Sequence, residues 1–168
     1  MPKHWFVTGS ASGLGRSISE AVLASGDSLV ATAREPKRLA DLLEKYGDRV
    51  RTIALDVTDE KGCEIAVEKA VEAFGSLDVV VNNAGYGDIA PFEQMASERF
   101  KAVIDTNFYG VVNVTRAVIP IMRKQKSGCI LVGWRPCHPA RQYALSRRQM
   151  GCWRIHRIAC QGGSSFWC

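Results

Sequence analysis

Short apolar runs alternate with amphipathic segments along most of the chain. Five runs have the length of buried strands: residues 4–7, 27–33, 50–55, 77–81 and 129–132. Between them, apolar residues recur at helical spacing in segments 14–24, 35–46, 59–74 and 100–118. Uniformly apolar strands that alternate with helices are typical of a parallel sheet covered on both faces. The pattern therefore predicts an α/β fold with a doubly wound, mostly parallel sheet.

A glycine-rich loop joins the first strand to the first helix, with the sequence Thr8-Gly9-Ser10-Ala11-Ser12-Gly13-Leu14-Gly15. Gly9 permits a tight reversal, Gly13 lets the backbone approach a pyrophosphate, and Gly15 lets the helix pack closely on the sheet. The free N–H groups and the positive dipole end of the helix face this loop, so we expect an anion there, held by Ser10, Ser12 and Leu14 with the glycines. The alternative is a loop whose glycines serve only the turn.

Arg34 follows the second strand directly. In a dinucleotide fold, the residue at this strand end meets the adenosine ribose. An acid there would bind a free 2′-hydroxyl, whereas an arginine pairs with a 2′-phosphate and lies against the adenine ring. Arg34 therefore favours NADP(H) over NAD(H), and the alternative is a solvated arginine that precedes a helix.

The tetrapeptide Asn82-Asn83-Ala84-Gly85 closes the fourth strand. Small residues at Ala84 and Gly85 let the backbone pass beside a cofactor, and the asparagine amide can tie adjacent strand ends together. A turn with Asn for local backbone bonding is the alternative. Together with the T-G-x-x-x-G-x-G spacing of residues 8–15, this tetrapeptide resembles the short-chain dehydrogenase/reductase family.

The resemblance implies a Rossmann-type sheet with strand order 3-2-1-4-5 and an NADP(H)-dependent oxidoreductase that acts on a carbonyl or an alcohol. It also implies that Asp56, followed by Val57, accepts a hydrogen bond from the adenine amino group. Asp56 has an alternative role as a cap of the helix that starts near Asp59. Asn83, Ala84 and Gly85 would lie beside the cofactor. Asn107, within a helix, would hold a water in the proton relay behind the catalytic tyrosine.

The resemblance stops near Gly133. A family member continues with serines and then a tyrosine with lysine four residues later, where tyrosine is the acid/base and lysine lowers its pKa. Here the chain reads Gly-Trp-Arg-Pro-Cys-His-Pro, and Tyr143 has Arg147 four residues on. A guanidinium does not replace an ammonium at such a site. We therefore expect this chain to lack the catalytic Ser, Tyr and Lys.

Composition also changes at this point. The net charge is +5, but residues 134–168 hold six arginines and no acid, which leaves the first 133 residues close to neutral. The same 35 residues contain four of the six cysteines and three of the four tryptophans. We interpret residues 1–133 as an incomplete dinucleotide-binding domain, truncated after the fifth strand, and residues 134–168 as an irregular tail.

The tail has several interpretations. Cys152, His156 and Cys160 would share one helix face and bind zinc, or six arginines with interleaved tryptophans would bind nucleic acid. We prefer a shifted reading frame, since reading each codon from its second base permits a segment that contains Tyr-x-x-x-Lys. The chain would then be a catalytically dead nucleotide-binding module or a non-functional product, with the fifth strand as an uncovered edge.

The remaining composition excludes several classes of protein. Apolar residues make up 46% of the chain and charged residues 23%, as in ordinary globular proteins. No apolar stretch reaches the length of a membrane span, and no cleavable signal is visible. We expect a cytoplasmic protein with no metal, membrane or nucleic-acid partner, whose partners are a nicotinamide dinucleotide and a small carbonyl or alcohol. An oligomer of the family type is doubtful, because the later elements are missing.

Overall fold

The computed structural model describes residues 2–88, 90–134 and 154–161. These residues form a six-stranded sheet in the order β3-β2-β1-β4-β5-β6. The first five strands are parallel, which confirms the predicted order 3-2-1-4-5. The strands are β1 His4–Val7, β2 Ser28–Ala33, β3 Val50–Ala54, β4 Val79–Asn82, β5 Ser127–Trp134 and β6 Arg154–Gln161.

Helices connect the parallel strands, as the spacing predicts. They are α1 Gly13–Ala24, α2 Ala40–Tyr46, α3 Glu60–Phe74, α4 Ser97–Ile104 and α5 Gly110–Gln125, with 3-10 turns at Pro36–Leu39, Gly47–Arg49 and Phe92–Gln94. A π-helical turn, Asp105–Tyr109, joins α4 to α5 in one continuous run. No helix among the residues described is long and apolar enough to cross a membrane.

The last helix continues beyond the predicted segment 100–118. Pro120 lies inside α5, which continues to Gln125 and ends where Lys126 adopts a left-handed conformation with φ 57°. Proline removes one helical hydrogen bond, to the carbonyl of Arg116, but Pro120 is exposed. The opposite face of the helix is held by Val118 and Met122, both 0% exposed. Packing of that face carries the helix past the proline.

The sheet buries apolar side chains on both faces. Alternation along β1 sends Phe6 to one core and Val7 to the other. The first core lies against α3 and α5 and includes Phe6, Val30, Val67, Val80, Val114, Val118 and Met122. The second lies against α1 and α2 and includes Val7, Val22, Leu23, Leu29, Leu39, Leu42 and Val81. Because helices cover both faces, a ligand site is expected at an edge of the sheet, and in open α/β sheets it lies at the loops that follow the carboxyl ends of the strands.

Residues 154–161 correct two expectations about the tail. They form β6, which pairs antiparallel with all of β5, from Ser127↔Gln161 to Trp134↔Arg154. The tail therefore contributes an ordered element, and β5 is not an uncovered edge. The zinc alternative requires a helix that carries Cys152, His156 and Cys160. That helix is not present at the two of these residues that the structure describes, since His156 and Cys160 lie in a strand. Cys152, Tyr143 and Arg147 lie outside the described residues.

Candidate dinucleotide-binding site

The glycine loop leaves β1 and begins α1 at the carboxyl edge of the sheet. Gly9 and Gly13 have φ of 69° and 58°, a conformation that favours glycine. The Ser10 hydroxyl donates to the Val7 carbonyl at 2.9 Å, and the Ser10 N–H donates to the Thr32 carbonyl at 2.8 Å. Ser12 is the N-cap of α1 and makes no side-chain cap bond. The first N–H groups of α1 thus face a fixed loop.

Gly15 brings this loop against the segment that follows β4. A Cβ on Gly15 would collide with the Gly9 carbonyl oxygen and the Asn83 side-chain nitrogen. A Cβ on Gly9 would lie 3.0 Å from the Cα of Ala84. The predicted close packing at Gly15 is confirmed, and its neighbours are the two sequence motifs themselves.

Thr8 fastens the same two segments together. Its hydroxyl oxygen accepts hydrogen bonds from the N–H groups of Asn83 and Ala84, each at 2.9 Å. In return, the Asn83 side-chain amide donates to the Thr8 carbonyl at 3.0 Å. This confirms that an asparagine amide ties strand ends together. The role of Thr8 was missed by sequence reasoning, although its position before the first glycine was a signal.

A cleft of about 430 Å³ opens where β2 and β3 end. Its lining residues are Arg34, Asp56, Thr58, Tyr86, Ala102, Asp105 and Thr106. The Asp56 carboxylate accepts hydrogen bonds from the Thr58 N–H at 3.0 Å and the Thr58 hydroxyl at 2.7 Å. These bonds, aided by the positive charge of Arg34, lower the pKa of Asp56 below its usual range. Asp56 is therefore an anion at neutral pH.

The alternative role of Asp56 as a helix cap is wrong. Helix α3 begins at Glu60, and its N-cap is Asp59. The Asp56 side chain bonds to Thr58, before the helix. Val57, the next residue, is buried in the core.

Asn107 lies on the π-helical turn and holds the loop that follows β4. Its side-chain oxygen accepts from the Tyr86 N–H at 3.0 Å, and its amide nitrogen donates to the Tyr86 carbonyl at 2.7 Å. A Cβ on Gly85 would lie 2.7 Å from the Asn107 oxygen, so glycine permits this approach. The water-holding role of Asn107 stays a prediction. In the described part of the chain, no group of three metal-ligating side chains converges.

A family model described as short chain dehydrogenase matches residues 3–132. The chain belongs to the short-chain dehydrogenase family. A curated member, oxidoreductase BOA17 of Botryotinia fuckeliana (strain B05.10), is 50% identical over 131 residues, which are 77% of this chain and 48% of that protein. The chain thus spans about half the length of the curated relatives that it matches.

Solved structures share the fold of this chain. One, a short-chain dehydrogenase from Streptomyces avermitilis, aligns with a TM-score of 0.75 and 37% identity, over 78% of this chain and 48% of that chain. Another, ElxO with NADP bound, aligns with a TM-score of 0.73 and 29% identity, and covers 79% of this chain and 55% of its own. The match to the family thus rests on both sequence and architecture.

Proposed function

We propose that this chain binds NADP(H) at the carboxyl edge of its sheet, and that the whole protein to which this architecture belongs is an oxidoreductase acting on a carbonyl or an alcohol. One observation carries the proposal. Arg34 and Asp56, from the ends of two neighbouring strands, line a single cleft. A cation for a phosphate and an acceptor for an adenine amino group thus lie together at the strand ends.

The glycine loop fits the pyrophosphate. Side chains are absent at Gly9, Gly13 and Gly15, and the loop leads into the N-terminus of a twelve-residue helix. Ser10 is held to β1 and β2, and Ser12 and Leu14 flank the first turn of the helix. Backbone N–H groups and the helix dipole would stabilise the diphosphate charge there.

Arg34 supports the preference for NADP(H) over NAD(H). Its side chain is exposed, and among the residues described no carboxylate forms an ion pair with it. A 2′-phosphate would give the guanidinium a bidentate partner. NAD(H) lacks that phosphate, so it would gain nothing comparable from Arg34. Asp56 and Val57 would contact the adenine.

The opposite wall would receive the nicotinamide half. Asn83 and Ala84 lie beside the glycine loop, Gly85 lies against Asn107, and Asn107 fixes the backbone of the next residue, Tyr86. NADP(H), when bound, supplies or accepts the hydride. The residues of this chain would orient the dinucleotide and, at Asn107, support a proton relay.

A second function, nucleotide binding without turnover, is favoured by a specific observation. No tyrosine in the sequence has lysine four residues later, and residues 133–139 contain no serine. A shifted reading frame near Val132-Gly133 accounts for this. Sequencing genomic DNA across that codon tests the shift. Intact in-frame family sequence on both sides would refute it.

Titration of the purified chain with NADPH and NADH tests the cofactor proposal. We expect NADPH to bind at least tenfold more tightly, because a bidentate, charge-assisted phosphate–arginine pair is worth ~1.5–3 kcal/mol. Equal affinities would overturn the NADP(H) preference, and absence of binding to either would overturn the function. A turnover assay with a panel of aldehydes and ketones completes the test, since turnover would exclude the binding module.

A further inference from the structure

The backbone between Asp56 and Thr58 is held by a residue of α5. The side-chain amide of Asn113 donates to the Val57 carbonyl at 3.0 Å. The Cys63 thiol lies 3.6 Å from the same oxygen, and Val57 itself is 6% exposed. Fifty-six residues separate Asn113 from Val57 in sequence, so this contact is a tertiary one.

Gly110 lets α5 come close enough for that bond. A Cβ on Gly110 would lie 2.5 Å from Cγ2 and 3.0 Å from Cβ of Val57. Residues 110 and 113 are neighbours on one helix face, because positions three apart are adjacent there. The glycine thus sets the distance between helix and loop, and the asparagine fixes their register.

The same helical run also holds the other wall of the cleft. Asn107, three residues before Gly110, binds both backbone groups of Tyr86. Tyr86 lines the same 430 Å³ cleft as Asp56 and Thr58. One continuous helical segment with the pattern Asn-x-x-Gly-x-x-Asn therefore holds the backbone of two of the chain segments that line the cleft.

We propose that Asn113 is a positioning residue for the adenosine end of the site: acting with Gly110 through the Val57 backbone, it holds Asp56 where the adenine binds. The inference rests on the proposed function, because it takes the cleft to be the adenosine site. Asn113 itself touches no ligand in this scheme. Loss of its amide donor would let the Asp56–Thr58 loop move away from α5.

The first arm of the test measures the affinity of 2′,5′-ADP, which probes the adenosine end alone. We expect Asn113→Ala to weaken binding about five- to tenfold, the equivalent of one hydrogen bond of ~1 kcal/mol. Asn113→Gln, which keeps an amide donor, should recover part of the affinity. Arg116→Ala is the control, since it removes the ion pair to Glu60 at 2.6 Å but leaves the Val57 contact intact. Its affinity should stay within twofold of wild type.

The second arm uses no ligand. The hydrogen bonds from Thr58 lower the pKa of Asp56, so a displaced loop should raise that pKa toward its ordinary value. We expect carboxyl NMR titration to show the rise in Asn113→Ala and to show none in Arg116→Ala. The unfolding midpoints of the two variants are measured as well. General destabilisation would change the Asp56 pKa in both variants and not in Asn113→Ala alone.

The outcomes separate the two proposals. An Asn113→Ala variant that keeps both wild-type affinity and the wild-type Asp56 pKa overturns the positioning role. The same holds if Arg116→Ala reproduces every change. A wild-type chain that does not bind 2′,5′-ADP overturns the proposed function, and the Asp56 pKa then decides alone whether Asn113 sets this loop.

Discussion

The two ends of the parallel strands use similar hydrogen bonds but leave very different surfaces. At the amino end, the His4 N–H donates to the Asp78 carboxylate at 2.8 Å, and the His4 ring stacks on Phe74 at 5.3 Å. At the carboxyl end, Thr8 and Asn83 tie the strands, and glycines replace the bulky side chains. Both ends are tied, and the cleft of about 430 Å³ lies at the carboxyl end.

This difference separates the residues that stabilise the sheet from those that would bind a ligand. Rings and carboxylates fill the amino end, so a change there alters packing and little else. At the carboxyl end, the ties position a concave surface with free backbone N–H groups. A change there alters stability and ligand affinity together. The following experiments test that contrast.

Gly15→Val should have the largest effect. The new side chain would collide with the Gly9 carbonyl and the Asn83 amide, and backbone would have to move. We expect NADPH affinity to fall more than 100-fold, equivalent to over ~2.7 kcal/mol, with a lower unfolding midpoint. Gly62→Ala is the control, because the nearest neighbours of its Cβ would be atoms of the Asp59 side chain, at 2.7 Å from Oδ2, rather than backbone. Wild-type affinity in Gly15→Val would show that the loop is not the phosphate site.

Arg34→Asp should reverse cofactor preference. The variant loses the partner for a 2′-phosphate and gains an acceptor for a 2′-hydroxyl. We expect NADPH affinity to fall about 10- to 100-fold, which reflects ~1.4–2.7 kcal/mol, while NADH affinity is kept or improved. Arg51→Asp makes the same charge change near the amino end of β3 and should leave the ratio of the two affinities unchanged. A constant NADPH-to-NADH ratio in Arg34→Asp would contradict the assignment.

Thr8→Val should lower both stability and affinity. Valine keeps the shape but leaves the N–H groups of Asn83 and Ala84 without their acceptor. An unsatisfied donor costs ~1–3 kcal/mol when buried, and because these two N–H groups are only half-buried, urea unfolding should show a loss of about 2–4 kcal/mol in total. Thr32→Val is a matched buried control, since its hydroxyl makes one longer bond, at 3.4 Å to Val7. Equal losses in the two variants would remove the special role of Thr8.

Trp5→Phe should have the smallest effect. It removes the hydrogen bond from the indole to Asp27, 2.9 Å long, at the amino end. We expect a loss of about 1 kcal/mol in the free energy of unfolding at pH 7 and no change in NADPH affinity.

The hydrogen bond to Asp27 also depends on pH. Burial raises the pKa of Asp27, but hydrogen bonds from Lys3 and Trp5 outweigh it and the net pKa is lowered. The contribution is thus present above the unfolded-state pKa of about 3.9 and is lost as pH falls through the folded value. Weaker NADPH binding by Trp5→Phe would contradict the expectation that residues at the amino end stabilise the sheet without affecting ligand affinity.

Sequence patterns predicted the parallel sheet well, because the strands are mostly apolar on both faces and each helix has its own inward stripe. They also predicted the two motifs at residues 8–15 and 82–85, because each of these is a continuous stretch of sequence. The contacts between Asn113 and Val57 and between Asn107 and Tyr86 join distant segments, so no local pattern reveals them. The predicted segment 100–118 stops short of Pro120 because helix propensity is local, whereas the burial of Val118 and Met122, which carries the helix onward, depends on distant residues. β6 was missed because its sequence shows no strand pattern that we recognised, and the strand is defined by its pairing with β5.

The antiparallel strand has a consequence for self-association. β5, with the sequence SGCILVGW, contains no charged residue, and its backbone groups are now satisfied within the sheet. At this edge of the sheet, the outermost described strand is β6, whose sequence RIHRIACQ includes two arginines and a histidine; β3 forms the other edge. Like charges oppose the approach of an identical strand. The charged strand therefore disfavours pairing of the β6 edge with the same edge of another copy, and this effect should weaken as salt screens the arginines.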